Sequence, residues 1–128
     1  MKLAMVLALG LVMAVGCDNA AYIGETKPYD KTKLDAGKDF DKGWELENTG
    51  TCTWGTGYSF AFSSGDDMQC TSVVYKANDT ETDPGHSNTF IVHCTAPTTS
   101  GEYKSVFQMK NAQGTAFGAF PYVDIIVP

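Results

Sequence analysis

Phe40-Asp41-Lys42-Gly43-Trp44-Glu45-Leu46-Glu47-Asn48 is the stretch whose reading decides the fold. Phe40, Trp44 and Leu46 fall on one face of an extended chain, and Asp41, Glu45 and Glu47 fall on the other. A period of two marks a strand with one side in a core and the other in water. Outward from it the same pattern repeats. Asn48-Thr49-Gly50-Thr51 is turn chemistry. Tyr58, Phe60 and Phe62 then alternate with small residues until Ser63-Ser64-Gly65-Asp66-Asp67 stops the run. Val73-Val74-Tyr75 reads as a short strand and Asn78 to His86 as a polar loop. Phe90, Val92 and Cys94 share a face. Tyr103, Ser105, Phe107 and Met109 alternate with Lys104, Val106, Gln108 and Lys110, and a hairpin loop follows at Asn111-Ala112-Gln113-Gly114. A last strand from about Phe117 to Val127 aligns Val123, Ile125 and Val127. No segment sustains a helical period with caps. Short strands at turn-punctuated spacing predict an all-β sandwich.

The stretch Asp39-Phe40-Asp41-Lys42-Gly43-Trp44-Glu45-Leu46-Glu47-Asn48-Thr49-Gly50-Thr51-Cys52-Thr53-Trp54 resembles the core motif of the four-tryptophan domain. That domain is the immunoglobulin-like module of the neighbour-of-BRCA-one autophagy receptors, also found in bacterial exported proteins. Later landmarks fall in the same order: Ser64-Gly65-Asp66 with Met68, Pro84-Gly85, Ala96-Pro97, Gly101-Glu102-Tyr103 and Phe117-Gly118. The resemblance covers about Tyr29 to Val127. It implies an immunoglobulin-like sandwich of seven to eight antiparallel strands over residues 29–128, and a module that binds rather than catalyses. Trp44 and Trp54 match the first two tryptophans of the motif. Phe107 stands where the third would be and Tyr122 where the fourth would be, so two indole donors are replaced. In an immunoglobulin-like strand order, Cys70 and Cys94 reach the same end of the sandwich. A Cys70–Cys94 disulfide is expected, with Cys52 unpaired; the alternative is three free, mostly buried thiols.

The chain opens with Met1 and Lys2, followed by an uncharged apolar run from Leu3 to Val15. That is the length of a signal-peptide core and short for a membrane span. Ala14-Val15-Gly16-Cys17 resembles a bacterial lipobox, with Ala14 where the strongest motifs have Leu. The resemblance implies a lipoprotein signal peptide over 1–16, a diacylglycerol on the Cys17 sulfur, and a polar tether over 17–28. The alternative is an ordinary secretory signal in which Cys17 is incidental. More than one acyl chain is needed for durable anchoring. Asp18 after the cysteine implies retention at the inner membrane if the cell has two.

Nine lysines, no arginine and fifteen acids give a net charge of −6. A chain of that sign lacks the basic patches that nucleic acid and anionic headgroups demand. His86, His93, Cys70, Cys94, Met68 and Met109 are soft or borderline ligands that suit copper, but no pair has a recognised ligand spacing. No metal or other cofactor is expected. Neither histidine sits in a nucleophile motif, so no enzyme is expected. Phe40, Trp44 and Phe107 read as core aromatics. Trp54, beside a turn, either covers the end of the sandwich or stands partly open next to Tyr58. Trp54, Tyr58 and Tyr122 are the candidate binding surface, since aromatics at loop ends give large contact area at small entropy cost. The expected function is a lipid-anchored, extracytoplasmic module that binds a protein or glycan at the cell envelope. The alternatives are a structural component of the envelope or a copper-type metal carrier.

Overall fold

The computed structural model describes residues 16–128. The signal peptide expected over 1–16 therefore lies outside the described residues, Gly16 excepted. Nine strands follow in chain order: β1 (Ala20–Glu25), β2 (Thr32–Lys33), β3 (Asp39–Asn48), β4 (Ser59–Gly65), β5 (Val73–Val74), β6 (Ser87–Thr95), β7 (Gly101–Lys110), β8 (Ala116–Phe117) and β9 (Tyr122–Val127). They form a small sheet in the order β1-β3-β6 and a larger one in the order β2-β9-β7-β4-β5, with β8 added to β7. The strands pair antiparallel except β2, which runs parallel to β9.

The period-two reading of β3 explains how the sheets meet. Trp44 and Leu46 face inward with Phe90 and Val92 of β6, and all four are buried. Phe60 of β4 and Phe107 and Met109 of β7 meet them from the larger sheet, each with no exposed surface. Phe60 stacks on Phe90 across the sandwich and on Phe107 within its own sheet, with centroids 5.1 and 5.6 Å apart. Trp44 tilts against both Phe60 and Phe107, at 5.5 and 5.1 Å. Such aromatic pairs contribute about 0.5–1.5 kcal/mol each beyond the apolar area they bury.

Alternation also places Lys42 on the inward face, between Phe40 and Trp44, where it is fully buried. Its stem lies among apolar groups and its ammonium emerges at the sandwich edge. There it donates to Glu25 Oε1 at 2.5 Å and to the carbonyls of Thr26 and Pro28 at 2.5 and 2.8 Å. Three donors meet three acceptors, so the buried charge is fully satisfied. The same contacts fasten residues 25–28 to β3.

Several sequence expectations need correction. Residues 17–28 are not a tether. β1 pairs with β3 along its length, Asp18 is buried, and the Cys17 carbonyl accepts the N–H groups of Thr51 and Cys52 at 2.8 and 2.9 Å. Backbone pairing, which side-chain polarity does not report, holds this segment. The last strand does not run unbroken from 117 to 127. Gly118 adopts φ +78°, and a Cβ there would come within 2.7 Å of the Ala20 Cβ, while Pro121 has no N–H to continue a ladder. The chain therefore breaks between β8 and β9 and presents Phe120 in the gap.

Asn48 closes one end of the sandwich from the inside. It is fully buried, its amide donates to the carbonyls of Cys52 and Thr82, both at 2.9 Å, and its Oδ1 accepts the Gly50 N–H at 3.0 Å. Replacing Asn48 by Ala leaves the Cys52 carbonyl and the Gly50 N–H without this partner and the Thr82 carbonyl with only the Trp54 N–H. Asn48→Ala is expected to lower unfolding stability by about 2–4 kcal/mol in urea titration, given about 1–3 kcal/mol for each group left unsatisfied.

Candidate functional site

The residues proposed from sequence as a binding surface separate in the structure. Trp54 is completely buried, packed between Phe90 and Phe117 with centroids 6.1 Å from each, and its backbone pairs with Thr82. It is core and not contact surface. The turn after β3 directs the indole inward, where it plugs the end of the sandwich. Its Nε1 has no hydrogen-bond partner among the described residues. Tyr58 is half-buried, edge-on to Phe117, and its hydroxyl donates to Asp18 Oδ1 at 2.7 Å. It holds the chain start in place. Tyr122 remains open to solvent, 37% exposed. Phe40, Trp44 and Phe107 are all buried.

Tyr122 belongs to a different constellation. A cleft of about 360 Å³ opens at the lateral edge where β1 of the small sheet passes β9 of the larger one. Tyr22, Phe120 and Tyr122 line it, with Trp44 in its lining and the carboxylates of Glu25 and Asp30 on its polar side. Each position has a local cause. Tyr22 pairs with Leu46, an inward-facing residue, so it points toward the gap between the sheets. A bulge between Tyr22 and Gly24 follows immediately. Phe120 sits at the loop tip bracketed by Gly118 and Pro121, and the Ala119 N–H donates to the Ala20 carbonyl at 3.0 Å, fixing that loop to β1. Asp30 accepts the Tyr122 hydroxyl at 3.1 Å. Lys104, outside the cleft, lies 4.1 Å from the Tyr122 ring centroid.

The electrostatics follow from these contacts. Desolvation, then the charge of Glu25 and a hydrogen bond to it, raises the Tyr22 hydroxyl above its ordinary value. The hydrogen bond to Asp30 and the charge of Asp30 do the same for Tyr122. Both phenols stay neutral, and the two carboxylates are the charged groups lining the cleft. The arrangement offers ring faces beside two carboxylates.

Residues 28–127 match the family model described as the Ig-like domain from next to BRCA1 gene. The chain belongs to this family. The mouse "Next to BRCA1 gene 1 protein" is 30% identical over 109 residues, which are 85% of this chain and 11% of that protein. The chain thus spans a small fraction of that relative's length. Among solved structures, WR4, a C. elegans MSP family member, aligns with TM-score 0.43 and 11% identity over 88% of this chain and 99% of that one. The CARDB domain of a Pyrococcus furiosus protein aligns with TM-score 0.46 and 11% identity over 87% and 92%.

In this Ig-like domain of the next-to-BRCA1 type, the cysteines lie at opposite ends of β3. Cys70 and Cys94 form a disulfide beside Phe40, with Cα atoms 4.0 Å apart. Cys17 and Cys52 form another beyond Asn48, with Cα atoms 5.1 Å apart. Cys52 is therefore not the unpaired thiol expected from sequence. The odd count came from assigning the Cys17 sulfur to a lipid, and one sulfur cannot carry both a thioether and this disulfide. Ligand atoms of Cys17, Asp18 and Cys52 lie within 4.8 Å of one another. The two sulfurs are bonded to each other, and the Asp18 oxygens accept from Tyr58 and, at 3.0 Å, from Asn111. Of the residues weighed for copper, Cys70 and Cys94 are bonded to each other, while the His93 ring nitrogen sits 2.5 Å from Asp41 on the solvent face.

The sequence reading missed Tyr22, Glu25, Asp30 and Phe120 as site residues. Tyr22 and Glu25 fell in the supposed tether, and Asp30 lies just after it, in a stretch read without a site. Phe120 fell inside the supposed last strand, although the Gly118 and Pro121 flanking it are loop signals.

Burial and then the Asp18 carboxylate push the Tyr58 hydroxyl from 10.0 up to about 12. The stability supplied by the neutral phenol is thus complete below pH 10 and is lost as pH rises through about 12. In a phenolate-absorbance titration, Tyr58 is expected to ionise at about 12, above the ordinary phenol value of 10.0. Asp18→Asn should move its midpoint down toward 10.

Proposed function

We propose that this chain is a non-enzymatic binding module that works outside the cytoplasm and holds a protein or glycan partner at the cell envelope. The observation that carries the reading is the cleft of Tyr22, Phe120 and Tyr122. Three exposed aromatic rings surround a concavity of about 360 Å³, on elements fixed by backbone pairing and by the Lys42 clamp. Binding sites of this kind are concave, mostly apolar and supplied with a few polar groups. Rigid aromatics lose little freedom on contact. The family membership agrees with an interaction module.

The lipobox resemblance at Ala14-Val15-Gly16-Cys17 supports attachment to a membrane through Cys17. A lipid on that sulfur excludes the bond to Cys52, so the mature protein carries one or the other. Anchored protein would hold the domain directly against the lipid surface, because Cys17 is already part of the fold.

Two measurements test the reading. In cells, a photo-crosslinking amino acid at position 120 is expected to give a discrete adduct. The adduct should be lost in Tyr122→Ser and absent when the crosslinker replaces Ile91 on the outer face of the small sheet. Equal labelling from both positions would overturn the cleft as the binding site. Intact mass after unfolding and thiol alkylation is expected to show acyl chains together with one alkylated cysteine, Cys52. The acyl mass should be lost in Cys17→Ser. Unlipidated protein in the medium with no alkylated cysteine would overturn the anchor.

A further inference from the structure

We infer that the cleft between β1 and β9 takes a methylated ammonium group, the head of a quaternary amine. This rests on the binding-module reading and names the chemistry of the ligand.

The argument begins with charge. The ionised groups that line the cleft, Glu25 and Asp30, are both acidic. Lys42 lies behind it, 5.7 Å from the Trp44 ring, and its three donors are already used by Glu25, Thr26 and Pro28. Lys104 is parked over the Tyr122 ring. These two lysines show that the aromatic groups here accept cations on their faces. The chain as a whole is acidic, at −6.

Hydrogen-bonding capacity then separates one kind of cation from another. Glu25 Oε1 receives Lys42. Asp30 Oδ2 receives the Tyr122 hydroxyl. Each carboxylate thus has one oxygen already engaged. A primary ammonium brings three donors that each need an acceptor. A quaternary ammonium brings none, needs only negative potential and ring faces, and sheds its water readily. Tyr22, Phe120 and Tyr122 supply the faces, at 49%, 61% and 37% exposure, with Lys104 over one face of Tyr122. A carbohydrate would instead need several directed partners for its hydroxyls, and Glu25 Oε1 and Asp30 Oδ2 are already engaged by Lys42 and Tyr122.

The test uses the folded domain, residues 17–128 with both disulfides, and follows the aromatic and amide resonances of residues 22, 120 and 122. Choline is titrated against its uncharged carbon isostere, dimethylbutanol. Choline is expected to shift these resonances saturably and to bind about tenfold tighter than the isostere. Phe120→Leu, at an exposed position, should weaken choline binding about fivefold without changing the thermal midpoint. Asp30→Asn removes the charge but keeps an acceptor for Tyr122, and should weaken it about threefold. Ammonium and methylammonium should bind more weakly than tetramethylammonium. Phosphocholine vesicles separate a surface-borne head group from a free solute. Co-sedimentation lost in Phe120→Leu assigns the former, and binding of free choline alone assigns the latter. Equal affinity for choline and dimethylbutanol, or no shift at these residues with choline, would overturn the inference. A crosslink from position 120 in cells that persists despite a flat choline titration leaves the binding module standing and removes only its proposed ligand. A flat titration without a crosslink removes both.

Discussion

Phe60 stacks on Phe90 of the opposite sheet and on Phe107 of its own, and Trp44 leans against two of these rings. Four aromatic side chains from four strands thus fix the separation and the relative position of the sheets. Everything else adapts to that spacing. With three strands on one side and a wider sheet on the other, the two layers cannot end at the same edge. β1 closes the small sheet, β2 and β9 lie at one side of the larger one, and the interval between them is bridged by side chains and loops rather than by backbone pairing. Lys42 ties the loop after β1 across that interval, and the Ala119–Ala20 hydrogen bond ties the loop before β9. The aromatic cleft is the part of the interval that these ties leave open.

The two ends of the sandwich are finished differently. Around Asn48 the finish is polar and internal: Asn48, Asp18, Asn111 and Thr82 are buried and hydrogen-bonded to partners distant in sequence. Gly50 permits this crowding, since a Cβ there would collide with the Cys17 carbonyl. Around Phe40 the finish is apolar and covalent, with Cys70 and Cys94 beside the start of β3. Buried polar groups of the first kind add little net stability when satisfied and cost much when broken, so they select one arrangement of the chain start among many.

The fold was largely legible in the sequence because strand alternation is a local property. Trp44, Leu46, Phe90, Val92, Phe107 and Met109 announce their inward face through their immediate neighbours. The site was much less legible. Tyr22 lies in a segment whose exposed polar side chains conceal a strand held by backbone bonds to β3. Phe120 is separated from Tyr22 by almost the whole chain, and only the strand order brings them to one edge. Trp54 was ambiguous for the opposite reason. A tryptophan next to a turn is as suited to capping a core as to meeting a partner, and the choice depends on whether Phe90 and Phe117 leave room for it. Lys42 occupied a core-face position that the alternation itself pointed to, but only the carbonyls of Thr26 and Pro28 explain why a lysine belongs there.

The two disulfides enclose separate loops of chain, 17–52 and 70–94. The first contains the β1–β3 connection, and the second contains the polar stretch from Lys76 to His86. These exposed connections are the natural targets of proteases. Cleavage in either leaves the fragments covalently joined and paired along β3, so one cut releases neither fragment nor fold. By contrast, the connection from Thr53 to Gln69 and the chain after Thr95 lie outside both loops. A protease acting there separates pieces that only non-covalent packing holds. In the oxidised protein, nicked molecules would therefore run as one band without reductant and as two with it when the cut falls inside a loop, a gel pattern that reports where the chain is vulnerable.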